Sequence, residues 1–60
     1  MSDHDIAEAM IRWGGSFVAG LGSLFYAADP INQDRLKAAF KDYWDEYRTL
    51  AELHQQRTAR

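Results

Sequence analysis

Trp13-Gly14-Gly15-Ser16-Phe17-Val18-Ala19-Gly20-Leu21-Gly22-Ser23-Leu24-Phe25-Tyr26-Ala27-Ala28 runs 16 residues without a charged side chain, and Asp29-Pro30 closes it. The large apolar residues repeat at helical spacing. From Ile6 through Met10, Trp13, Phe17, Leu21 and Leu24 to Ala28 the intervals are threes and fours, and Ala7, Ile11, Val18 and Phe25 form a second apolar line beside that stripe. A first helix from Asp5 to Ala28 follows, with Asp3 or Asp5 as its N-cap and acidic groups in the first turn suiting its dipole. Four glycines oppose it, each costing up to about 1 kcal/mol against alanine in a helix interior. Either packing recovers that loss or Gly14-Gly15 breaks the helix.

The small residues share a side of that helix: Gly15, Ala19, Ser23 and Ala27 recur every fourth residue, with Ser16, Gly20 and Gly22 beside them. A face so bare admits another backbone at close range, and Gly15, Ala19, Gly20, Gly22 and Ser23 are the expected close-packing or oligomer contacts. A ligand or partner surface is the competing use of the same face.

Asp29-Pro30 is a helix-start signal, with an Asp N-cap and a Pro at the first helical position. Beyond it Leu36, Phe40, Tyr43, Tyr47, Leu50 and His54 keep a heptad-like spacing, flanked by Ala39, Trp44 and Ala51. The opposite side carries mixed charge, from Asp34, Arg35 and Lys37 to Asp45, Arg48 and Glu52, as a solvated helix face does. A second helix from Pro30 to about Gln56 follows, with an interruption near Lys41 left open. Residues 1–4 and 57–60 are expected to fray. The fold class is all-α: a helical hairpin forming one domain over residues 1–60, assembled into a helical-bundle homo-oligomer because one hairpin offers more apolar surface than it can cover.

Composition narrows the function classes. With 60 residues and no Cys, neither disulfides nor a thiolate zinc site can staple the chain. Nine acidic against seven basic groups, a net charge of −2, lack the basic surplus of a nucleic-acid binder. The uncharged stretch falls short of the ~20 residues that cross a bilayer, and Asp3, Asp5 and Glu8 stand where a signal peptide would be basic. The reading is cytosolic, without membrane contact.

No catalytic constellation emerges. Ser16 follows Gly14-Gly15 rather than sitting in a Gly-x-Ser-x-Gly elbow, and the glycines lack the Lys-Ser/Thr ending of a phosphate loop. His4 and His54 are too few and too far apart for a zinc site, and no metal or cofactor is expected. Asp42 and Glu46 share a helix face, yet nothing in the sequence separates their roles as acid and base. The cluster instead suits recognition of a basic protein surface, with Trp13, Trp44 and Tyr47 as anchors and Asp42, Asp45 and Glu46 as steering charge. Trp44, offset from the seam, is the aromatic expected to stand outside the core.

One string invites a resemblance. Arg12-Trp13-Gly14-Gly15-Ser16-Phe17-Val18, then Ala28-Asp29-Pro30 with Asn32, then Leu36-Lys37-Ala38-Ala39-Phe40 and Tyr43-Trp44 with Tyr47, resembles a group of small phage and prophage proteins over about residues 11–47. In that group the segment after the Phe often reads Pro-Glu-Tyr-Trp; here Lys41-Asp42 replaces the proline that would impose a break. The group has no agreed activity to carry to a residue. The resemblance implies a non-enzymatic phage-derived protein that occludes or sequesters a host protein in the bacterial cytoplasm, as in counter-defence of the anti-CRISPR kind. A nucleotide or other small-ligand sponge, with Gly14, Gly15 and Ser16 near its pocket, and a phage assembly component are the alternatives.

Overall fold

The computed structural model describes residues 2–58, with side chains as far as Gln55. The described residues are all-helical, in four helices: α1 Asp3–Trp13, α2 Ser16–Ala27, α3 Pro30–Ala39 and α4 Lys41–Thr58.

The start of α1 differs from the expected aspartate caps, while Met1, within the stretch expected to fray, lies outside the described residues. Ser2 is the N-cap: its Oγ accepts from Asp5 N at 3.2 Å, and its own N–H donates to Asp5 Oδ2 at 3.1 Å. This reciprocal box satisfies two otherwise orphaned donors and fixes the first turn. The backbone hydrogen bond from Ser2 holds the Asp5 carboxyl below its usual range. At the other end α4 passes the expected limit of Gln56 and reaches Thr58; of the stretch 57–60 expected to fray, residues 59–60 lie outside the described residues.

The continuous first helix does not form; Gly14-Gly15 breaks it. Gly14 caps α1, its N–H donating to Met10 O at 2.9 Å, and both glycines are extended. A Cβ on Gly14 would lie 2.5 Å from that carbonyl and 2.6 Å from Val18 Cγ1, so the chain can turn this tightly only without a side chain. The turn folds α2 back on α1. Gly22 then meets α1 so closely that a Cβ there would sit 2.6 Å from Ala7 O. Packing at that contact offsets the helical cost of Gly22, as the small-residue face anticipated.

The break also resets the helical phase. Ile6 and Met10 are buried as the stripe predicted, but in α2 the buried line is Val18, Leu21 and Phe25, leaving Phe17 and Leu24 58 % and 52 % exposed. A two-residue extended insertion rotates everything after it, and periodicity read straight through the glycines misses that rotation.

Ala28 ends α2, and Asp29 caps α3 as expected, accepting from Asn32 N at 3.4 Å and from Asn32 Nδ2 at 2.6 Å. Gln33 Nε2 donates to Phe25 O at 3.1 Å and ties α3 back to α2. The interruption near Lys41 is real even without a proline: Phe40 leaves helical geometry at φ −120°, ψ 44°, while its N–H still reaches Leu36 O. Trp44, Tyr47 and Ala51 of α4 join α1 and α2 in one core, with Leu36, Phe40 and Leu50 half-buried against it. Helix α1 packs on both α2 and α4, while α3 buries no residue fully and spans between α2 and α4.

Candidate functional site

Two of the expected anchors are in the core. Trp44 is 5 % exposed, its ring centred 4.9 Å from that of Phe25, and Tyr47 is buried beside it. The reading of Trp44 as surplus to the core is therefore corrected, because the interruption at Phe40 turns α4 so that Trp44, Tyr47 and Ala51 face inward. Trp44 Nε1 is buried with no hydrogen-bond partner among the described residues. Lys37 Nζ lies 6.0 Å from the Trp44 ring centre and donates to Asp3 Oδ2 at 2.8 Å, which raises the Lys37 pKa and links α3 to the start of α1.

Trp13 is surface, as expected. It is 41 % exposed and lies flat on the His54 imidazole, with ring centres 4.0 Å apart and planes 15° from parallel. The Arg12 guanidinium stands 5.8 Å from the same ring centre. This contact joins the last turn of α1 to α4 and sets the indole beside a shallow hollow of about 200 Å³ floored by Ala9 and Ala51 and rimmed by Asp5 and Glu8. Sequence reasoning did not connect Asp5 and Glu8 with Trp13. The helical intervals from Asp5 to Trp13 contained that signal, but the acids were read only as first-turn charge.

The expected acidic cluster is divided. Asp45 is held between Lys41 at 2.6 Å and Arg48 at 3.6 Å, and the hydrogen bond from Lys41 lowers its pKa. Asp42 and Glu46 are exposed and enter no ion pair among the described residues. Tyr43 stands partly exposed between them in sequence, its ring 5.9 Å from that of Phe17. No group of three metal-ligating side chains occurs among the described residues.

The expected oligomer contacts also sort into two sets. Gly22 is consumed by α1, whereas Gly20 and Gly15 have nothing within 4 Å of where a Cβ would be; Ser23 is exposed and Ala19 half-buried. Gly20 lies on the outer side of α2 between exposed Phe17 and Leu24, and Phe17 also meets Phe40 with ring centres 5.8 Å apart. Where α2 and α3 diverge, Leu24, Ala27, Leu36 and Ala39 line an open groove of about 490 Å³, with Asn32 and Arg35 at its rim. This groove was not read from the sequence, because it depends on the phase shift at Gly14-Gly15.

Tyr26 closes the far end of the α1–α2 pair. Its ring stacks on His4 with centres 5.0 Å apart, and its hydroxyl donates to His4 O at 3.1 Å and reaches Glu8 Oε2 at 3.4 Å. Desolvation, then the Glu8 carboxylate, raises the Tyr26 pKa.

No family model matches this chain, and neither the curated proteins nor the solved structures give a match. No helix among the described residues is long and apolar enough to cross a membrane.

Proposed function

We propose that this chain is a non-enzymatic binding protein that works as a helical-bundle homo-oligomer and occludes or sequesters a host protein, in keeping with its resemblance to small phage and prophage proteins. The observation that carries the binding reading is Trp13. A half-exposed indole clamped on His54 beside a hollow rimmed by Asp5 and Glu8 supplies a rigid aromatic anchor, although Asp5 is committed to the Ser2 capping box and Glu8 pairs with Arg12 at 3.8 Å. Asp42 and Glu46, exposed farther along α4, add negative steering charge.

Affinity capture from a bacterial host, followed by titration calorimetry on the captured protein, tests this reading. Trp13→Ala should cost about 2 kcal/mol or more in affinity with helicity unchanged, and Asp42→Asn with Glu46→Gln should slow association. Unchanged affinity in the Trp13 variant would remove the anchor.

The small-ligand alternative draws on one observation, the α2–α3 groove, whose volume falls within the usual ~300–1,000 Å³ of ligand sites. Its place differs from the one anticipated: Gly14, Gly15 and Ser16 lie at the opposite end of α2. A thermal shift with nucleotides tests it.

A further inference from the structure

Helix α2 is the one described helix without a charged residue, yet only one of its sides is covered. Val18, Leu21, Gly22 and Phe25 face inward, while Phe17, Gly20, Leu24 and Ala27 remain outside. A helix apolar on all sides is ordinarily buried on all sides. Nothing in the chain's own fold uses Gly20, since a side chain there would enter open space.

We propose that the outer face of α2 is covered by a second copy of this chain, related by a two-fold axis that passes near Gly20. The inference rests on the oligomeric reading above and assigns its surface.

Charge selects this occupant. In a two-fold contact, groups near the axis meet their own copies, so a charged helix placed there opposes like charge with like. Helices α1, α3 and α4 all carry such charges; α2 carries none. The residue pattern is self-complementary as well. Phe17 and Leu24 stand seven residues apart, about two turns, with the bare Gly20 between them. When two α2 helices run antiparallel across the axis, Phe17 of each copy comes opposite Leu24 of the other, and Gly20 lets the backbones approach closely.

The apolar surface does not stop at α2: the groove beside Leu36 and Ala39 and the partly exposed Tyr43 continue it.

The absence of Cys makes the test clean, because a single introduced thiol can form a disulfide only with another copy. Gly20→Cys and Glu52→Cys, the latter on α4, are oxidised side by side at micromolar concentration, with masses read by light scattering and helicity by circular dichroism. The proposal expects a dimer mass for the parent protein and cross-linking of Gly20→Cys at least tenfold faster than Glu52→Cys. It also expects Gly20→Leu to weaken dimerisation at least tenfold while remaining helical. A dimer in which the two thiols cross-link at equal rates, or which tolerates Gly20→Leu, overturns this surface and leaves the oligomeric reading standing. A monomer mass for the parent overturns both.

Discussion

Gly20 and Gly22 sit two residues apart on one helix and live in opposite surroundings. A Cβ on Gly22 would strike the Ala7 carbonyl oxygen, while one on Gly20 would meet nothing within 4 Å. Both glycines cost α2 helical stability, but only Gly22 regains it within the chain, through the close α1–α2 contact. The comparison separates what this fold does for itself from what it leaves for something else. The inner side of α2 builds the core with α1 and α4, and the outer side, with Phe17 and Leu24 exposed, is finished apolar surface without a cover.

Substitutions on the two sides should therefore diverge. The largest loss is expected from Trp44→Ala, which empties the space against Phe25 on the inner side and should cost about 3–5 kcal/mol by urea denaturation. A loss below 1 kcal/mol would place Trp44 outside the core. Gly22→Ala should follow at about 1–3 kcal/mol, because the new methyl overlaps backbone that cannot yield without separating α1 from α2.

Ser2→Ala should cost about 1 kcal/mol through loss of the cap. Its pH dependence gives a sharper readout. The folded-state pKa of Asp5 is lowered, so the box contributes stability above the unfolded carboxylate value, near 3.9, and loses it as pH falls through the folded value. Ser2→Ala keeps the backbone N–H that donates to Asp5 and should retain most of that acid sensitivity, whereas Asp5→Asn should lose it, measured as stability between pH 5 and about pH 2. The smallest effect is Gly20→Ala measured at concentrations too low for dimerisation, where it should stabilise the folded chain by about 0.5–1 kcal/mol, since alanine favours helix and its methyl has room within the single chain. A destabilisation there would show that the outer side is already used within the chain.

The legible and illegible parts of this molecule divide at its interruptions. Asp29-Pro30 announced the α2–α3 turn because cap and proline are local signals, and the all-helical class followed from spacing alone. The close approach of Gly22 was legible as a small-residue face. The orientation of Phe17, Leu24 and Trp44 was not, because each follows a break whose geometry rotates the residues after it. Gly14-Gly15 inserts two extended residues, and Phe40 departs from helix by its backbone angles alone. Of the expected recognition residues, Trp13 stays half-exposed although Ile6 and Met10 of its stripe are buried, Trp44 turns inward after the break at Phe40, and Tyr47 is buried as its place on the apolar seam implies.

Thermal unfolding of the unaltered protein at two concentrations a hundredfold apart tests most directly whether the outer side of α2 is covered by another copy. Mass action ties the stability of a dimer to its concentration. A melting temperature that rises with concentration, and that no longer rises in Gly20→Leu, is the predicted result. A melting temperature unchanged across that range would contradict the account and leave α2 half-uncovered in solution.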